Sequence, residues 1–233
     1  MSLIVGFDTA TADTAVAVVD GAEPVHESVL GPGPDGRPLH GPALLGAVEE
    51  AVTAAGGWEG IALIAVGVGP GSFTGQRIGV ATARALAQAR ALPIVPVPTT
   101  SALAAGIAAN PEGRGRDRLA VVDARRGEVF YALDRGQGPG EPRVCDPAQL
   151  GELVGAAGAS GLLAGGEGSL RFRSEIEAAG IEVLPDDSLA HRVSARHTCR
   201  LGAETEPVPL DRIRPMYLRR PDAERWLERN RRN

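Results

Sequence analysis

Two α/β domains in tandem, each a mixed sheet of three antiparallel strands followed by alternating helices and strands, are the fold that the sequence predicts. Two observations carry that expectation. The order strand, strand, strand, helix, strand, helix, strand, helix reads twice along the 233 residues, and each copy ends its first strand on an acid, Asp8 and Asp123. Residue identity between the copies is negligible, so the repeat lies in the order of elements.

In the first copy the apolar run Leu3 to Phe7 ends at Asp8, and strands follow at Ala15–Val19 and Pro24–Leu30, separated by Gly and Asp. Gly and Pro from Gly31 to Pro38 mark a loop. A helix is expected over about 41–55, where Leu44, Val48, Ala51, Val52 and Ala55 share one stripe. A buried strand at Ile61–Val68, a helix at Thr74–Arg90 with Thr74 as its cap, a strand at Pro93–Val97 and a helix at Ser101–Ala109 complete it.

The second copy begins with strands at Leu119–Val122 and Glu128–Leu133, paired across Arg125-Arg126-Gly127, and a third near Arg143–Cys145. Asp146-Pro147 is a helix start, an N-cap followed by proline, leading to about Ala157. Leu162–Ala164 and Ile181–Leu184 read as strands, with Leu170–Ala179 and about Leu189–Gly202 as helices. This is the ribonuclease-H-like layout, and two copies give the actin, sugar kinase and Hsp70 architecture. The expected domains are 1–109 and 110–233, with Asp8 and Asp123 facing one another across the cleft between them. A C-terminal tail helix from Asp222, with Glu224 and Glu228 interleaved among its arginines, reads as a solvated helix that could pack back on the first domain.

Composition narrows function. Hydrophobic residues make up 43% and charged residues 23%, as in ordinary globular proteins, while aromatics are only 3%. Every basic residue is Arg, the net charge is −5, and no long basic stretch precedes residue 212, so the chain is not built to hold RNA alone. Cys145 and Cys199 form no CxxC pair, and the four histidines lack ligand spacing, which disfavours a disulfide scaffold and a metal site. No apolar run reaches membrane-spanning length and no leader pattern precedes the first strand, so a cytoplasmic protein is expected.

The segment Val68-Gly69-Pro70-Gly71-Ser72-Phe73-Thr74-Gly75-Gln76-Arg77 fails as a P-loop, as a dinucleotide fingerprint and as a nucleophile elbow. It remains a strand-to-helix turn, whose glycines serve backbone geometry and whose N–H groups could hold an anion. In the helix beyond it, Gly75, Gly79, Ala83 and Ala87 recur every four residues and form a smooth strip. Such a strip admits a second helix closely, either within the subunit against the 41–55 helix or across a subunit interface. The Asp123–Glu128 hairpin reads as a solvated tip, or as a phosphate contact in an active kinase. Gly165-Gly166 at a strand end is a weak signal of an adenosine turn.

Together these residues resemble the TsaB (YeaZ) family, most specifically at Gly69–Ala83, with support from Asp8-Thr9-Ala10, the Asp123–Glu128 hairpin and Pro215-Met216-Tyr217-Leu218-Arg219. The paralogous catalytic family, TsaD, shares the Gly-Pro-Gly turn but carries a His-x-x-x-His metal pair where this chain has Thr99 and Leu103. The resemblance implies a non-catalytic subunit in the synthesis of threonylcarbamoyladenosine on tRNA. Its partners would be a TsaD-type catalytic subunit and a TsaE-type ATPase, with a homodimer in isolation and tRNA met only through the complex. Partner contacts would come from the two helices of the first domain, at Leu44, Val48, Gly75, Gly79, Ala83 and Ala87. A weak, vestigial nucleotide site would involve Asp8, Asp123, Gly165 and Gly166, and no catalytic residue, metal or cofactor is implied. Against this stand a nucleotide-dependent enzyme of the actin/sugar-kinase type and a self-associating scaffold unrelated to tRNA.

Overall fold

The computed structural model describes residues 2–159 and 161–219. Strands β1 (Leu3–Asp8), β2 (Thr14–Asp20) and β3 (Glu23–Leu30), then β4 (Ile61–Gly67) and β5 (Ile94–Val97), form one five-stranded sheet in the order β3-β2-β1-β4-β5. Pairing is antiparallel from β1 to β2 and β2 to β3, and parallel from β1 to β4 and β4 to β5. The central strand β1 is apolar and buried almost throughout, as a strand covered on both faces must be. The edge strand β3 carries Glu23, Pro24 and Glu27, which discourage pairing with another chain.

Strands β6 (Arg118–Asp123), β7 (Val129–Asp134), β8 (Arg143–Cys145), β9 (Leu163–Gly165) and β10 (Glu182–Val183) repeat the plan in the order β10-β9-β6-β7-β8. Again the first three strands are antiparallel and the last two join in parallel. The tandem ribonuclease-H-like α/β fold is therefore present twice over, as the order of elements predicts.

Helices α1 (His40–Ala54) and α2 (Phe73–Arg90) cover one face of the first sheet. Leu44, Val48, Val52, Val80 and Ala83 meet Val5, Phe7, Ile64 and Val66 there in one apolar cluster. Helix α3 (Thr99–Ala109) follows β5, but Leu103, Ala104 and Ile107 pack on Ala120, Val122 and Leu163 of the second sheet. Helix α7 (Ala195–Ala203) does the converse: Ala195 and Cys199 sit on Ile4, Ala17 and Ala65 of the first sheet. A Cβ at Gly6 would lie 2.5 Å from the Cys199 sulfur, so that glycine lets α7 lie flat on β1. The exchanged helices touch each other and form the layer between the sheets. A division at 109/110 thus separates the two sheets along the chain, but not the two helices between them.

Four helices differ from expectation. Helix α2 starts at Phe73 with Ser72 as its cap, the Ser72 hydroxyl accepting from Gly75 N at 3.2 Å, rather than at Thr74. The expected 170–179 helix begins earlier and breaks at Phe172, giving α5 (Glu167–Arg171) and α6 (Arg173–Ala178). The 146–157 helix opens as a 3-10 turn at Pro147–Gln149 before α4 (Leu150–Ala156), and a 3-10 turn at Leu189–His191 is separated from α7 by extended residues. The tail helix expected from Asp222 lies outside the described residues.

Candidate functional site

Asp8 ends β1 and is only 1% exposed. Its Oδ1 accepts from Ala10 N at 2.7 Å and its Oδ2 accepts from the Thr99 hydroxyl at 2.7 Å. Burial holds its carboxyl above the usual carboxylate range. Gly67 makes this closure possible, since a Cβ there would lie 2.0 Å from Asp8 Oδ2. Thr99 Oγ1 also accepts from Gly69 N at 3.1 Å, and Leu103 is buried in the second core. Both residues at the expected ligand positions are thus spent on packing. The expectation that Asp8 faces the cleft is corrected: its oxygens point into the first domain.

Asp123, at the matching end of β6, does line a cleft of about 650 Å³ between the two sheets. Its Oδ1 accepts from Arg125 N at 2.8 Å, while its Oδ2 meets Arg171 at 2.8 Å and Arg125 at 3.2 Å. Arg125 and Arg126 have φ of 63° and 58°, left-handed values that turn the hairpin tip toward the cleft. Glu167, the first residue of α5, joins the wall. Burial, and then the neighbouring Asp123 charge, push its carboxyl up to about 7 against hydrogen bonds from the Glu167 and Asp123 N–H groups.

Gly165 and Gly166 do not line this cleft. A Cβ at Gly166 (φ 107°) would lie 2.1 Å from the Val121 carbonyl oxygen, and one at Gly165 would lie 2.7 Å from Ile107 Cγ1. Both glycines are thus packed against α3 and β6, and the expected nucleotide quartet does not come together around the cleft. Of the four residues, only Asp123 reaches the cleft.

The six expected partner residues are likewise turned inward. Leu44, Val48, Ala83 and Ala87 are 0–2% exposed in the first core, and Gly75 and Gly79 are buried. A Cβ at Gly75 would lie 1.9 Å from the Thr9 carbonyl oxygen, and one at Gly79 would lie 2.5 Å from Thr9 Oγ1. The Thr9 hydroxyl donates to Gly75 O at 2.8 Å. The strip exists so that α2 can close on the turn after β1, and as a surface for another chain it is corrected. What α1 and α2 present outward is Leu45 (54% exposed), Phe73 (44%) and Arg77.

Sequence reasoning gave the segment 213–219 no role, although it contains the Pro215–Arg219 motif. Ile213 is buried in the first core, and Met216 N donates to Val68 O at 2.7 Å. The Arg77 Nε donates to Tyr217 Oη at 2.8 Å, and the Phe73 and Tyr217 rings lie 5.1 Å apart. Arg219 then crosses to the second domain, donating to Ala124 O at 2.6 Å and pairing with Glu128 at 2.7 Å. This strap forms one wall of the cleft and ties its two sides together. Its signal in the sequence was an aromatic and two arginines (at 217, 219 and 220) following an isolated apolar residue, too short for any periodicity.

His40 anchors the start of α1 through Thr14 Oγ1 at 2.8 Å and Thr11 O at 3.1 Å. His191 bonds to backbone carbonyl oxygens of residues 166, 184 and 185. Among the described residues, no group of three or more His, Cys, Asp or Glu could hold a metal ion, and no helix is long and apolar enough to cross a membrane.

Residues 37–142 match the family model described as TsaD, tRNA N6-adenosine threonylcarbamoyltransferase. The chain is 32% identical to the Bacillus subtilis tRNA threonylcarbamoyladenosine biosynthesis protein TsaB over 178 residues, which are 73% of this chain and 75% of that protein. It is 39% identical to the Escherichia coli protein of the same name over 131 residues, 55% of this chain and 53% of the relative. The match to the Haemophilus influenzae TsaB, at 31% identity, likewise spans about half of that relative's length. Among solved structures, a Pseudomonas aeruginosa protein described as similar to peptidase YeaZ superposes with a TM-score of 0.73 at 25% identity, covering 94% of this chain and 100% of that one. A hexokinase of the ROK type from Thermus thermophilus gives a TM-score of 0.55 at 14% identity over 86% of this chain and 99% of its own, a likeness of fold alone.

Proposed function

Because the chain belongs to the TsaB (YeaZ) family of tRNA threonylcarbamoyladenosine biosynthesis proteins, we propose that it is the non-catalytic subunit of that system. In this reading it holds a TsaD-type catalytic subunit in a working assembly joined by a TsaE-type ATPase, and meets tRNA only through the complex. The observation that supports this most is the closure around Asp8. The acid best placed for metal or phosphate chemistry is sealed by Ala10 N and the Thr99 hydroxyl, at the position where a catalytic relative would place a ligand. Subunits that keep a fold and lose its chemistry are retained for their surfaces.

The surface we assign to the partner is the outward side of α1 and α2, centred on Leu45 and Phe73. Exposed large apolar side chains on adjacent helices suit a helix-on-helix contact. A Leu45→Glu and Phe73→Glu double variant tests this directly. Co-purification with the TsaD homologue should be lost while the melting temperature stays within a degree or two, because neither side chain belongs to the core. Undiminished co-purification would remove this face from the assembly, and threonylcarbamoylation of tRNA by the chain alone would overturn the non-catalytic reading.

A further inference from the structure

The hairpin between β6 and β7 holds a pattern that neither its turn nor the α1–α2 face explains. Arg125, Arg126 and Gly127 take φ of 63°, 58° and 79° in succession, a left-handed run that suits glycine and asparagine. An Asn-Gly pair would make such a tip with less strain, yet two arginines stand there, both exposed. Strained residues that persist in a fold point to something useful in what they present. Here that is charge. Arg125 and Arg171 both lie on one oxygen of Asp123, at 3.2 Å and 2.8 Å, while their side chains stay 70% and 51% exposed. Arg219 reaches the same tip, donating to Ala124 O and pairing with Glu128. Four guanidinium groups, those of residues 125, 126, 171 and 219, thus gather around two carboxylates, Asp123 and Glu128. The third nearby acid, Glu167, is pushed up to about 7, chiefly by burial, and offsets only part of a charge. On a chain of net charge −5 this rim is locally cationic.

We infer that the Arg125–Arg126 tip, with Arg171 beside it, grips the phosphodiester backbone of RNA. The inference rests on the reading above, that the chain works in an assembly acting on tRNA. A guanidinium has five N–H donors, more than a shared carboxylate oxygen can take, and its fork matches two oxygens of one phosphate. Residues 124–128 offer no large apolar side chain. A protein–protein contact is built around an apolar core, whereas a nucleic-acid contact is polar and cationic. That composition favours RNA over an acidic protein. Contacts of this kind follow the backbone and carry no base sequence. Two or three of them are too few to hold RNA alone at physiological salt, so they supplement the RNA surface of the assembly. The tip belongs to the second sheet, whereas Leu45 and Phe73 belong to helices of the first, so the two surfaces can be tested separately.

Fluorescence anisotropy decides the matter, with an unmodified tRNA transcript and an unrelated RNA stem-loop as probes, on the full chain assembled with its TsaD homologue. The double variant Arg125→Asn and Arg126→Asn keeps residues tolerant of positive φ. It should weaken both RNAs about tenfold at about 100 mM salt, and flatten the slope of log affinity against log salt by about 1.5–2. Arg171→Gln, which leaves the hairpin untouched, should weaken both about threefold, and it still decides if the double variant fails to fold. Arg114→Gln, an exposed arginine before the far end of β6, should change nothing. Co-purification with the TsaD homologue should survive in every variant. If the wild-type chain forms no such assembly, the partner reading fails by itself. The same titration on the chain alone at about 20 mM salt, where phosphate contacts are stronger, then reads the arginine pair. The inference is overturned by no RNA binding to the wild type, by indifference to the double variant, or by an equal loss in Arg114→Gln. Loss of co-purification in place of RNA affinity would give the tip to an acidic protein, and displacement of RNA by micromolar inorganic phosphate would make it a small-anion site; either also overturns it.

Discussion

Asp8 and Asp123 occupy the same position in two copies of one fold, and make the same local turn. Each carboxylate accepts from the backbone N–H two residues ahead, at 2.7 Å and 2.8 Å. They part at the second oxygen. That of Asp8 takes the hydroxyl of Thr99 inside the first domain, whereas that of Asp123 takes Arg171 and Arg125 at the edge of the cleft. Local sequence writes the turn, and the partner that reaches it from far along the chain decides whether the acid is structural or presented. The same division separates the two sides of α2. Its glycines close on Thr9, and the outer side of the same helix offers Phe73 and Arg77.

The sharpest break of that comparison is a methyl group on either side of the helical layer. Gly75→Ala would set a Cβ 1.9 Å from a backbone oxygen that has no rotamer to escape into. A loss of at least about 3 kcal/mol is expected, the upper end of overpacking, read from denaturant titration. Gly46, on the exposed side of α1, has nothing within 4 Å of its added Cβ. Gly46→Ala should therefore stabilise the chain by about 0.5–1 kcal/mol through helix propensity. If both changes proved neutral, α2 would not be closed on the turn after β1.

The two acids come next. Asp8→Ala leaves the Thr99 hydroxyl and Ala10 N without their acceptor in a dry interior, and should cost about 2–3 kcal/mol. Asp123→Ala releases Arg171 and Arg125, whose side chains are 51% and 70% exposed, into water. Such screened pairs contribute about 1 kcal/mol or less. Equal losses in the two variants would show that Asp123 is as structural as Asp8.

Why the acids diverge was not legible in the sequence, although much else was. The order of elements foretold both sheets because each strand and helix is written in a contiguous run of residues. Strand β8 fell where it was expected, whereas the ends of β9 and β10 and the break at Phe172 were blurred, since runs that short carry no reliable period. Side-chain destinations failed where they depend on contacts across long separations. Thr99 reaches Asp8 from 91 residues away and Tyr217 reaches Arg77 from 140. The spacing of Gly75, Gly79, Ala83 and Ala87 correctly announced a close approach, but it could not say that Thr9 was what approached. Gly165-Gly166 misled for the same reason: the glycines make room for Ile107 and Val121 O of the same chain.

Titration offers a subtler contrast between the halves. His197, on the helix lying against the first sheet, is held down to about 4, chiefly by burial and then by Arg196 and Arg200. The unfolded chain therefore binds a proton that the folded one refuses, and stability falls as pH drops from about 6.5 toward 4, by about 2 kcal/mol. Glu167, raised to about 7, works in the other direction. The folded form keeps a proton that the unfolded chain has lost, so stability present below about 4.5 declines as pH climbs through 7, by about 1–2 kcal/mol given its partial exposure. His197→Phe should flatten the acid limb of a stability–pH curve and Glu167→Gln the neutral one. If either variant kept its wild-type slope, the group named would not be the source.

The smallest effect is expected at the Tyr217 end of the strap, which can be set against its buried Ile213 end. Ile213 is fully buried in the first core, and Ile213→Ala should cost about 2–5 kcal/mol like other large-to-small core changes. Tyr217, four residues on, is 43% exposed and has three ties of modest strength. Its ring lies 5.1 Å from that of Phe73, its hydroxyl accepts from Arg77, and the Arg77 guanidinium sits 5.9 Å from its centroid. Tyr217→Phe removes only the hydroxyl. Arg77 retains its 3.8 Å stacking on Phe73 and its freed Nε can turn to water, so the loss should stay below about 1 kcal/mol. Thermal melts of the two variants measure the difference. A Tyr217→Phe loss approaching that of Ile213→Ala would mean that the hydroxyl, and not the buried isoleucine, holds the strap across the cleft.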